Sequence, residues 1–102
     1  MKYSLHPDAE SDLREAAEYY RERAGAVLSQ SLLAEFERAL ERLMQRPLLG
    51  APWLYGKRRL SMRHFPYAIV YVIAGEEIRV LAVAHHSRRP GYWRQRKSPA
   101  DP

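Results

Sequence analysis

Four residues late in the chain have the types and spacing for acid–base and phosphate chemistry: Arg63, His86, Arg88 and Tyr92. Cleavage of RNA without a metal needs a base for the ribose 2′-hydroxyl, a cation for the phosphate and an acid for the leaving oxygen. His86 suits proton transfer because histidine titrates near neutrality. Arg63 and Arg88 suit a phosphate clamp, and Tyr92 suits base stacking or positioning of the scissile group. A second set suits binding of nucleic acid or of another anionic target: Lys57, Arg58, Arg59, Arg89, Trp93, Arg94 and Arg96. Three successive cations at 57–59 disfavour a buried edge and point to an anionic guest. The same residues also fit a purely structural role. Tyr92 and Trp93 would then cap the edge of the core, His85 would be a satisfied strand residue, and the arginines would form a solvated rim.

Other chemistries are disfavoured. The five glycines, at 25, 50, 56, 75 and 91, are too scattered for a phosphate loop. No serine sits in a nucleophile elbow, and the absence of cysteine removes thiol nucleophiles, disulfides, iron–sulfur clusters and thiolate zinc sites. His85 and His86 are adjacent, so on a strand they point to opposite faces, and no spaced ligand set accompanies them. No metal and no cofactor is expected. The carboxylates lie on the N-terminal half, away from the basic residues, which argues against paired-carboxylate chemistry.

The charge distribution reinforces the division. Residues 1–46 carry seven Lys/Arg against nine Asp/Glu, a balance of −2; residues 47–102 carry ten against three, a balance of +7. A basic module thus follows a mildly acidic one, which favours an anionic partner. With 102 residues, 46% of them hydrophobic, the chain is expected to form one small domain over residues 1–97, with a frayed tail at 98–102. The longest apolar run, residues 68–74, is far short of a membrane span, and Met1–Leu5 lacks an apolar signal region. No membrane association and a cytoplasmic location are expected.

The elements that must position these side chains read as follows. Residues 2–5 alternate as a short strand. His6-Pro7-Asp8 opens a helix, with proline at a favoured first position and acids in the first turn. Ala9, Leu13, Ala16, Ala17 and Tyr20 form its apolar stripe to about Arg23. Of the tyrosine pair Tyr19-Tyr20, one member must leave the core, and packing against a loop is the expectation for it. Gly25 breaks this helix. A second runs from about Val27 to Gln45, with Leu28, Leu32, Phe36, Leu40 and Leu43 inward, Val27, Leu33 and Ala39 widening that face, and Glu35, Glu37, Arg38, Glu41 and Arg42 outward. Pro47 stops it. Residues 47–56, with two prolines and two glycines, read as an apolar loop pinned by Leu48, Leu49, Trp53 and Leu54. Residues 59–63, 67–73 and 78–85 read as strands, with a turn at 74–77. Alternation places Arg59, Ser61 and Arg63 on one face, and Arg79, Leu81, Val83 and His85 together on one face of the last strand. The expected fold is α+β: an N-terminal strand and a two-helix hairpin packed on a small antiparallel sheet.

The run His6-Pro7-x-Ala9-x-x-Asp12-Leu13-x-Glu15-Ala16-x-x-Tyr19-Tyr20 resembles the first helix of the RelE/ParE toxin superfamily. So do Phe65-Pro66-Tyr67-x-Ile69-x-Tyr71, Ile78-x-Val80-Leu81-x-Val83-x-His85 and Arg88-Arg89-Pro90-x-Tyr92-Trp93, in that order and over nearly the whole chain. The resemblance implies a prokaryotic type II toxin, encoded beside a cognate antitoxin that wraps it and with which it oligomerises. An acidic, partly disordered antitoxin segment would suit the basic face. RelE-like members cleave ribosome-bound mRNA, and Arg63, His86, Arg88 and Tyr92 fall by spacing where their catalytic residues would sit. ParE-like members instead act on DNA gyrase. Lys57 is the only lysine of the sheet region, and His86 stands where a cation is commoner in RelE-like chains. The long second helix and the segments at 65–67 and 85–89 resemble the ParE branch, which is the branch favoured here.

Overall fold

A computed structural model describes residues 1–96 of the chain; Lys97 and the expected frayed tail at 98–102 lie outside the described residues. The order is β1 (Lys2–Leu5), α1 (Pro7–Ala24), α2 (Ala26–Gln45), β2 (Ala51–Trp53), a single helical turn at Leu54–Gly56, β3 (Lys57–Ser61), β4 (Tyr67–Ala74) and β5 (Glu77–His85). The five strands form one sheet in the order β1-β5-β4-β3-β2.

Two expectations about the sheet are corrected. It is mixed rather than antiparallel, because β1 lies parallel to β5, with Lys2 opposite Glu77 and Leu5 opposite Val80. The loop at 47–56 contains an edge strand, β2, paired antiparallel to β3. Pro52 obscures that strand in the sequence, but an edge position needs ladder hydrogen bonds on one side only and so tolerates proline. Within this segment Leu49 packs on the core, while Leu48 and Leu54 are exposed.

Helix α1 starts where its sequence suggests. His6 Nδ1 accepts the Asp8 N–H at 3.0 Å, and Pro7 occupies the first turn. Its alanine face (Ala9, Ala16, Ala17) allows close approach of α2, where Ser29 Oγ donates to the Ala17 carbonyl at 2.7 Å. From α2, Leu32, Phe36, Leu40 and Leu43 fill the space over Ile69, Tyr71, Ile78 and Val80. Each such side chain contributes roughly 1.5–3 kcal/mol by leaving water. Val27 (78% exposed), Leu28 and Leu33 do not join this core. Glu35, expected on the solvent face, is buried instead. Its carboxylate accepts the His64 backbone N–H at 3.2 Å and meets His64 Nδ1 at 2.6 Å, clipping the β3–β4 turn to α2. Burial alone would raise the Glu35 pKa, but these hydrogen bonds and the His64 ring outweigh it and hold the pKa below the usual glutamate value. Of the tyrosine pair, Tyr19 is the exposed member, and Tyr20 packs edge-on against Phe65.

The third correction concerns β5. Val70 pairs with Ala82 but Tyr71 pairs with Val80, so Leu81 is an extra residue in a bulge. The bulge reverses the alternation. Val80 and Val83 both face the helices, while Ala82 faces the opposite side with Val70 and Trp93. Arg79, Leu81, Val83 and His85 therefore do not share one face.

Candidate basic target-binding face

Beyond Leu5 the chain turns into α1, so β5 loses its β1 neighbour past Val80. The backbone groups left at that edge are satisfied by side chains. Val83 N–H donates to Asp12 Oδ2 at 3.1 Å, and the Leu81 carbonyl accepts from Arg96 Nη1 at 3.0 Å. The two side chains bond to each other, Arg96 Nη1 to Asp12 Oδ2 at 2.7 Å. Arg96 also lies 3.7 Å from Asp8. Burial opposes the charge on Arg96, but Asp12 outweighs burial and raises its pKa. This pair straps the segment after β5 across the outer side of the sheet, the side away from the helices. There Trp93, only 1% exposed, packs on Val70 and Ala82.

The strap decides which expected site residues meet. His86, Arg88, Arg89, Tyr92 and Trp93 line one hollow with Arg59, but Arg63 is not part of its lining; it sits exposed in the β3–β4 turn. That hollow holds about 50 Å³. Ligand pockets hold roughly 300 Å³ or more. Tyr92 lies under the Arg88 guanidinium, 4.0 Å from the ring centroid, and its hydroxyl donates to Asp12 at 3.4 Å. Burial and then Asp12 raise its pKa above the ordinary tyrosine value. Asp12, Tyr67, His85, Arg88 and Tyr92 border a larger cleft of about 330 Å³ beside α1. His85 Nδ1 accepts from the Ser87 backbone N–H, and its ring meets Tyr67 edge-on at 5.1 Å. Among the described residues no group of three or more His, Asp or Glu is placed to hold a metal ion.

The binding set also divides. Arg58 points to the helix side, where Nη1 donates to the Gly50 carbonyl at 2.7 Å beside Tyr71. Arg58, Trp93 and Arg96 are thus engaged in local structure. Lys57 lies in β3 opposite Trp53. Arg59 lies over the Trp53 ring at 4.9 Å, and Arg94 lies over Tyr55 at 5.4 Å while donating to its hydroxyl at 3.1 Å. Arg89 is exposed beside them. Among the described residues, Arg59, Arg88, Arg89 and Arg94 have no carboxylate partner.

Sequence reasoning missed three participants. Asp12 enters the sequence reading only as one residue of the motif on the first helix, with nothing to point to Arg96 or Val83. Tyr55 has φ 58° and ψ 36°, left-handed backbone that costs a non-glycine residue about 1–3 kcal/mol. Gly91 (φ 85°) makes room for it, since a Cβ there would lie 2.8 Å from the Tyr55 ring. The glycine and proline punctuation of both segments hinted at special backbone, but not that they would touch.

A helical hairpin on a mixed sheet thus carries a carboxylate-poor arginine–aromatic outer face. Residues 3–90 match the family model of the ParE toxin of type II toxin–antitoxin systems, parDE. The chain is also 30% identical over 86 residues to toxin ParE2 of Mycobacterium tuberculosis, in strains CDC 1551 and H37Rv, covering 84% of this chain and 82% of the relative. A solved structure of the chromosomal ParDE system from P. aeruginosa superposes with a TM-score of 0.74 at 20% identity, over 83% of this chain and 95% of that one. The chain belongs to the ParE toxin family of type II toxin–antitoxin systems.

Proposed function

We propose that this ParE-family toxin arrests growth by docking its basic outer face on DNA gyrase, without cleaving a bond itself, and that a cognate acidic antitoxin neutralises it. The observation that carries this reading is that the four residues a nuclease would use are not gathered in one cavity. Arg63 sits exposed in the β3–β4 turn, His86 borders the hollow of about 50 Å³, and Arg88 and Tyr92 also border the cleft of about 330 Å³, where the Tyr92 hydroxyl is turned to Asp12. Metal-independent RNA cleavage needs its base, cation and acid gathered around one scissile group, and these four residues do not line one cavity together. Binding needs only the exposed guanidiniums and rings. No helix among the described residues is long and apolar enough to cross a membrane, which is consistent with action in the cytoplasm.

The test runs purified chain in two assays side by side. Gyrase supercoiling of relaxed plasmid is expected to fall with added chain, and toeprinting on translating ribosomes is expected to show no new mRNA ends. Undiminished supercoiling at excess chain overturns the gyrase reading. New mRNA ends that vanish in Arg63→Ala would establish the RelE-like alternative.

A further inference from the structure

The outer face has a built feature at one end. The turn Leu54–Gly56 projects from the β2 edge, and Tyr55 is locked on it by three contacts. Its ring meets Trp93 edge-on at 6.2 Å, fits over Gly91, and carries the Arg94 guanidinium by both hydrogen bond and ring contact. Tyr55 is the only non-glycine residue with positive φ among the described residues. Strained backbone persists where surrounding contacts over-determine it, and such positions cluster at ligand clamps. Beside the knob, Tyr55, Arg89, Gly91 and Arg94 border a hollow of about 230 Å³.

We infer that this face docks the phosphate backbone of double-stranded DNA, with one phosphate seated in the hollow between Arg89 and Arg94. Three observations choose this occupant. First, Arg59, Arg88, Arg89 and Arg94 stand on this face without a carboxylate partner among the described residues, and the segments 51–61 and 86–96 that build it contain no Asp or Glu. A field of one sign matches a polyanion, and duplex DNA carries the most regularly spaced negative charge. Second, Trp53 and Tyr55 already carry guanidiniums over their rings, at 4.9 and 5.4 Å. Those faces are closed to splayed bases, which disfavours single strands. The same ring contacts hold the guanidinium planes in place, as phosphate recognition requires. Third, the hollow beside the Tyr55 knob, about 230 Å³ and bordered by Arg89 and Arg94, has room for a phosphate group between two guanidiniums. The inference deepens the reading of this face as the toxin's target-facing surface, naming DNA as a direct ligand.

The test is fluorescence anisotropy of a labelled 20-base-pair duplex titrated with full-length chain between 50 and 200 mM salt, with no gyrase present. Its outcome is therefore separate from that of the supercoiling assay. Binding is expected to weaken with salt on a log–log slope of about −2.7, for phosphates at Arg59, Arg89 and Arg94. Arg89→Ala/Arg94→Ala is expected to weaken duplex binding at least tenfold and flatten the slope by about 1.8. Arg38→Ala/Arg42→Ala, on the exposed side of α2, is expected to change neither. Melting curves establish that both double variants stay folded. No salt-dependent duplex binding at 50 mM, or equal loss in both double variants, overturns the inference. Tighter binding to single strands, or displacement of the duplex by an equal charge of polyglutamate at lower concentration, replaces DNA duplex with that ligand and overturns it as well.

Discussion

Replacing Asp12 by alanine is the most informative perturbation of the fold that carries the basic face. One carboxylate on α1 accepts from Arg96, from the Val83 backbone and from Tyr92. Asp12→Ala leaves the largely buried Arg96 with only the Leu81 carbonyl and a 3.7 Å approach to Asp8, and leaves the Val83 N–H at an uncovered sheet edge. Breaking a buried pair by removing one partner costs about 3–5 kcal/mol, and an orphaned buried N–H about 1–3 kcal/mol. Part of this is recovered as water reaches the freed edge, so a net loss of about 3 kcal/mol is expected. For a domain of this size that lowers the melting temperature by roughly 12–24 °C. Urea denaturation of wild type, Asp12→Ala, Arg96→Ala and the double variant closes a thermodynamic cycle, with an expected coupling of about 1.5–3 kcal/mol. Asp12→Asn keeps an acceptor for Val83 and is expected to lose less than Asp12→Ala. A loss under about 1 kcal/mol in Asp12→Ala, or a coupling near zero, would refute the strap.

Three further outcomes follow from the same contacts. Tyr71 Oη accepts the Gly50 N–H at 3.0 Å and donates to the Pro47 carbonyl at 2.7 Å, so Tyr71→Phe is expected to cost about 1–3 kcal/mol by chemical denaturation. Glu35 has a lowered folded pKa, so its stabilisation is complete above the ordinary glutamate range and disappears as pH falls through the folded value. The stability gap between wild type and Glu35→Gln, about 1–2 kcal/mol at neutral pH, is therefore expected to close on acidification, and a gap that widens would contradict the clip. Gly91→Ala puts a Cβ 2.8 Å from the Tyr55 ring at φ 85°. It is expected to cost about 1–3 kcal/mol and to weaken duplex binding by displacing Arg94, as read by melting and anisotropy together.

The helices, β3 to β5 and the charge division are legible in the sequence because each rests on a local pattern: a 3.6-residue stripe, an alternation, a run of arginines. What is not legible depends on meetings between distant segments. The bulge at Leu81 leaves an ordinary-looking valine-rich strand, yet it reverses which side Ala82 and Ala84 face. Glu35 sits where a helical wheel puts solvent, and only the β3–β4 turn, folded back on α2, gives it a reason to be buried. The seven cations of the face look alike in sequence. Three contacts sort two of them, since Arg58 serves Gly50 while Arg96 serves Asp12 and Leu81. Trp93 reads as an aromatic beside arginines, fit to touch a target, but it is buried against Val70 and Ala82. The parallel partner of β1 is likewise invisible in four residues.

The central claim is that the toxin acts through the arginine–aromatic face and not through a cleft. The most direct measurement is the dose of purified chain that halves gyrase supercoiling, compared between wild type and the folded Arg89→Ala/Arg94→Ala variant. The account predicts inhibition by wild type and at least a tenfold higher dose for the variant. Equal inhibition by both proteins would contradict it.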